Sequence, residues 1–142
     1  MNAEGLIQFE EGRRNVGYLD TRGVPTIGIG HTGKEVYVGL QWSDQQIDDA
    51  FLRDYDTAAQ GLLPALPWFP NLDEVRQAVL ISMAFQMGVH GVLEFQHTLA
   101  AIRDQRWNDA AGGIRSSAWY TQTHARAERA ARAIETGEWQ VS

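Results

Sequence analysis

Apolar residues along this chain change period several times. Residues 3–12 carry Leu6 and Ile7, with Glu10 one turn on, and Gly12 stands behind them as a stop; this predicts a short helix. From 16 to 34 glycine recurs at 17, 23, 28, 30 and 33, with Tyr18, Leu19, Val24, Ile27 and Ile29 between. That pattern predicts a small hairpin or three-stranded sheet with Thr21-Arg22-Gly23 as a turn and Pro25 at an edge. Ser43 and Gln46 make a capping box, and Ile47, Phe51, Tyr55, Ala58 or Ala59, and Leu62 follow at helical spacing. A helix over about 43–61 would rise about 27 Å, enough to join two lobes. Gly61, Pro64, Pro67 and Pro70 interrupt the chain.

Beyond this break, Leu72 to Met87 is apolar on nearly every side, as in the buried centre of a helical lobe. Gly88-Val89-His90-Gly91 reads as a turn. Three further helices are expected over about 92–105, 107–116 and 124–136, with Trp119-Tyr120 between the last two and Gly137 closing the series. The fold class is α+β. A small antiparallel β lobe (about 15–42) is joined by a long helix (about 43–61) to a larger helical lobe (about 1–12 and 62–142), all within one domain.

Composition narrows the class. The 142 residues include no cysteine, which excludes disulfides and thiolate metal sites. His31, His90, His97 and His124 show no ligand spacing, so neither metal nor cofactor is expected. No apolar run reaches the roughly 18 residues of a membrane span. Residues 1–20 lack the apolar core of a secretory signal. Synthesis in the cytosol without stable membrane insertion is the expectation. The net charge is −6, with ten acids against five bases through residue 60. That balance argues against nucleic acid as a partner.

Against this background three residues carry chemistry. Glu11 in a helix, Asp20 beside a turn and Thr26 in a strand are each ordinary. A paired glutamate is usually a solvated face, an aspartate at a turn usually bonds backbone, and threonine favours strands. Strand alternation would put Thr26, Gly28 and Gly30 on one face and Ile27, Ile29 and His31 on the other. The first face is then bare, as where a ligand comes close. Two carboxyls from separate elements and a hydroxyl can split a glycosidic bond: one carboxyl protonates the leaving oxygen and the other activates a water.

The run Glu11-Gly12, Tyr18-x-Asp20 and Thr26-Ile27-Gly28-Ile29-Gly30-His31-Thr32 resembles the active-site segment of the phage-type lysozymes, the endolysins of T-even phages and their relatives. Phe85-Gln86-Met87-Gly88, Arg106-Trp107 with Asp109-Ala110-Ala111, Trp119-Tyr120-x-Gln122-Thr123, Arg126-Ala127 and Thr136-Gly137-x-Trp139 extend the resemblance in order over nearly the whole chain.

The resemblance implies a lysozyme-like two-lobed monomer that hydrolyses the β-1,4 bond between N-acetylmuramic acid and N-acetylglucosamine in peptidoglycan, with inversion. The two carboxyls would then stand roughly 6.5–9.5 Å apart. It makes Glu11 the general acid and Asp20 with Thr26 the holders of the attacking water. Arg126 would orient Glu11. His31 would pair with Asp54 as a structural contact, and Gly30, Ser82, Phe85 and Gln86 would border the sugar sites. It also implies a phage or prophage lysis role, with release to the wall through a holin; a tail-associated wall-piercing role stays open. Two other readings stay open. A lytic transglycosylase needs one carboxyl and no positioned water, so Asp20 and Thr26 speak against it. A non-catalytic wall-binding module would not need Glu11, Asp20 and Thr26 together.

The chain departs from the T-even pattern twice. The segment from His31 to Ser43 is short, which implies a smaller β lobe and a more open cleft. The charge is acidic, which implies weaker attraction to an anionic wall.

Overall fold

A computed structural model of the chain describes residues 1–141. Helix α1 (Ala3–Glu11) starts where the Asn2 side chain accepts the Gly5 N–H, and it ends at Gly12 with φ 71°. Strands β1 (Arg14–Leu19) and β2 (Pro25–Gly28) form a two-stranded antiparallel hairpin. Of the hairpin and the three-stranded sheet, the chain takes the hairpin, because the returning loop only touches it. Val16 makes an isolated bridge to Gln41, and Gly17 donates to the Leu40 carbonyl at 2.7 Å.

Helix α2 (Asp44–Ala65) begins at the Ser43–Gln46 capping box with both reciprocal bonds formed. At 22 residues it spans about 33 Å, longer than the sequence break suggested. Pro64 sits in its last turn rather than ending it at Gly61. The α2 stripe of Ile47, Ala50, Phe51, Ala58 and Leu62 is buried, packed on β2 at one end and the helical lobe at the other.

After a short 3-10 turn at Phe69–Asn71, helix α3 (Glu74–Leu93) runs through the core with Val75–Met83 buried almost continuously. The expected turn at 88–91 is instead a single-residue kink. Gly88 takes φ 81° and ψ 159° and the helix resumes after it. Helices α4 (Gln96–Arg103), α5 (Trp107–Arg115), α6 (Ala118–Gln122) and α7 (His124–Thr136) complete the lobe: α4 packs on α5, α5 and α6 pack on α7, and α7 packs on α3. The short helix α6 contains Trp119, which is buried in the core. Among the described residues no single helix is long and apolar enough to cross a membrane.

This α+β, two-lobed arrangement fixes the site. The end of α1 and the hairpin meet beside α2, while α3 and α7 bring polar side chains up from the helical lobe.

Candidate active site

Glu11 is the last residue of α1, and its side chain is 15% exposed. Arg126 of α7 donates from Nη1 to Glu11 Oε2 at 2.6 Å. The same guanidinium donates from Nη2 to Ser82 Oγ at 3.0 Å and to the Ser82 carbonyl at 3.3 Å. The other side of the Glu11 carboxyl faces Gly30. A Cβ at Gly30 would collide with Oε1, and Gly30 has φ 65°, a conformation suited to glycine. Glu11 is thus gripped between the hairpin and α7.

The neighbouring carboxyl is gripped in the same way. Arg129, one turn after Arg126, donates to both Glu10 oxygens, at 3.0 and 2.7 Å. The Glu10 side chain is 5% exposed while Arg129 is partly open, and the hydrogen bonds to Glu10 push the Arg129 pKa up. Of the α7 arginines at i, i+3 and i+6, Arg126 and Arg129 turn inward while Arg132 stays solvated. Arg126 pairs with Glu11 and Arg129 with Glu10, while Arg132 shares Glu128 with Arg115.

Asp20 directly follows β1. Its Oδ1 accepts the Arg22 and Val24 N–H groups, each at 2.8 Å, which shapes the turn. Its Oδ2 takes no hydrogen bond from the described residues. Thr26 is buried, and its hydroxyl donates to the Val24 carbonyl at 2.8 Å. Asp20 lies opposite Val24 (their backbones bond at 3.0 Å), so Asp20 and Thr26 are diagonal neighbours on one hairpin face. The turn role expected of an ordinary aspartate is real, and it occupies only one of the two oxygens.

The bare glycine face does not extend as alternation predicted. Gly28 and Gly30 have φ 67° and 65°, and Ile27 bridges to His31, so the strand turns back at Gly28. Gly28 backs onto Ile47 and Trp42, whereas Gly30 faces Glu11.

His31 Nδ1 meets Asp54 Oδ2 at 2.7 Å, tying the hairpin to α2. Its Nε2 meets Glu35 Oε1, also at 2.7 Å, and Trp42 flanks the ring. The Asp54 hydrogen bond above all raises the imidazole pKa; burial opposes it and Glu35 adds to it. Glu35 was not singled out from the sequence, although an acid four residues after the histidine was the available signal.

Gly30, Thr32, Asp54, Phe85 and Val89 line a cavity of about 200 Å³ beside this site. Gln86 lines a larger one of about 880 Å³, together with Arg22 of the hairpin turn. Its Oε1 accepts the Trp119 indole N–H at 3.1 Å. Ser82 borders neither cavity. It is buried one turn earlier on α3 and holds Arg126. That contact spans 44 residues, and the sequence pattern gives no sign of it.

The phage lysozyme family model matches residues 8–135. A probable T4-type lysozyme of Dictyostelium discoideum is 31% identical over 157 aligned positions, covering 93% of this chain and 92% of that protein. The pre-baseplate central spike protein Gp5 of Enterobacteria phage T4 is 32% identical, over 96% of this chain and 28% of its own length. A peptidoglycan hydrolase, gp36 of Pseudomonas phage phiKMV, is 32% identical over 87% of this chain and 14% of its own. The chain belongs to the phage lysozyme family, and it is a glycoside hydrolase.

Proposed function

We propose that the chain is a muramidase that hydrolyses the β-1,4 bond from N-acetylmuramic acid to N-acetylglucosamine in peptidoglycan with inversion. The observation that carries this reading is the hydrogen-bond state of Asp20 and Thr26. Asp20 has one oxygen committed to the turn and one uncommitted. Thr26 has already given its hydroxyl proton to Val24, so its oxygen is left as an acceptor. A water between them donates one hydrogen to Asp20 and one to Thr26. Its lone pair is then directed away from both, toward a sugar carbon above the hairpin face.

Glu11 supplies the proton to the leaving oxygen from the opposite side. Arg126 orients the Glu11 carboxyl, and the acid role requires that contact to loosen when substrate binds. Gly30, Phe85 and Gln86 border the glycan, while Ser82 acts through Arg126. The protein works as a single-domain monomer without metal or cofactor. A phage or prophage lysis role, with release to the wall through a holin, fits the family.

The stereochemical outcome tests the reading. NMR of freshly cleaved glycan strands should show the α anomer of the new reducing end first. The β anomer first would mean a covalent carboxylate route, and Asp20 would not be holding a water.

A further inference from the structure

Tyr18 has no part in the mechanism above. Strand β1 takes four steps, from Arg14 to Tyr18, where β2 takes two, from Gly28 to Thr26. The surplus is a bulge, which curls the strand. Arg14 comes to lie over the Tyr18 ring, 4.2 Å from its centroid. Tyr18 is the direct cross-strand partner of Thr26, so the two side chains share a face. Asp20, two residues on, shares it too.

Among the described residues the Tyr18 hydroxyl has no hydrogen-bond partner; the ring is half-buried and the hydroxyl is open to solvent. An open phenol can give its hydrogen bond to a ligand, whereas an enclosed one ties it to the protein. Tyr120, by contrast, donates to Glu128 at 2.9 Å.

The groups around Tyr18 mostly accept. Glu11 and Asp20 are carboxyls, Thr26 has spent its proton on Val24, and the Arg126 N–H groups described above go to Glu11 and Ser82. A sugar is rich in oxygens that need donors. We propose that the Tyr18 hydroxyl donates a hydrogen bond to a sugar oxygen next to the cleaved bond, and that Arg14 holds the ring in position for it.

The proposal rests on the muramidase reading. Burial, then the fields of Glu11 and Asp20, raise the phenol pKa against the opposing Arg14, so the donor keeps its proton well past neutral pH.

Tyr18→Phe keeps the ring and removes only the hydroxyl. The melting temperature should not move. Reducing-end release from soluble glycan strands should fall about 10- to 100-fold, mostly in kcat. The factor should be constant from about pH 5 to about pH 8, below the usual tyrosine value. Arg14→Gln should slow the parent but not the Tyr18→Phe variant, because a ring without a hydroxyl has nothing to position. An active parent with an equally active Tyr18→Phe would overturn this proposal alone. A parent that releases no reducing ends would overturn the muramidase reading and this proposal together.

Discussion

Glu11 is positioned by what surrounds it more than by its own helix. Gly30 leaves room on one side and Arg126 pulls from the other. Gly30→Ala should push the carboxyl aside. Since a displacement of about 1 Å costs on the order of 100-fold in rate, activity should fall by that much while the fold persists, as circular dichroism can check. Asp20→Asn is the complementary case. Asparagine keeps the oxygen that accepts the Arg22 and Val24 N–H groups but loses the charge. Turnover should drop at least about 100-fold, while chemical denaturation shows a stability change within about 1 kcal/mol. The candidates Glu11, Asp20 and Thr26 were legible in the sequence because their spacing around glycines is distinctive. Ser82 was expected beside the sugar sites, and its bond to Arg126 was not legible. That bond spans 44 residues, and the bulge between Arg14 and Tyr18 is likewise invisible to periodicity.

Elements are joined by ion pairs with opposite pH signatures. His31 links the hairpin to α2, and its pKa is raised above the usual 6.5. Its contribution is therefore complete below 6.5 and is lost as pH rises through the raised value. Melting temperature should decline on that alkaline side, and His31→Asn should flatten the decline.

Across α5, α6 and α7 the sign reverses. Arg115 binds Glu128 at 3.0 Å and Glu135 at 2.8 Å, and Tyr120 donates to the same Glu128. Arg115 chiefly holds the Glu128 pKa down from 4.5 to about 2. That contribution is complete above 4.5 and is lost as pH falls toward 2. Arg115→Met should lower the melting temperature at neutral pH and shrink its acid-side slope.

Most helices were legible from apolar spacing and caps. Helix α6 was not, since five residues carry too little periodicity. Helix α2 runs one residue past the Pro64 signal, to Ala65.

At the scale of the whole molecule the charge matters. A net −6 on 142 residues gives no long-range pull toward an anionic wall. Added salt should not depress activity steeply, as it does when binding depends on exposed cations. A turbidity assay on wall fragments across a salt series checks this.

The fold class was plain from the sequence: a glycine-punctuated segment, one long capped helix and a core helix apolar all round give the α+β lysozyme arrangement. The grip of α7 on α1 through Arg126 and Arg129 was less plain, because an arginine stripe looks the same whether solvated or paired.

Digestion of purified peptidoglycan in heavy-oxygen water, read by mass spectrometry beside Glu11→Gln, tests the central claim most directly. The account predicts one heavy oxygen at each new N-acetylmuramic acid reducing end, from the parent and not from the variant. Anhydro ends from the parent, or equal labelling from Glu11→Gln, would contradict it.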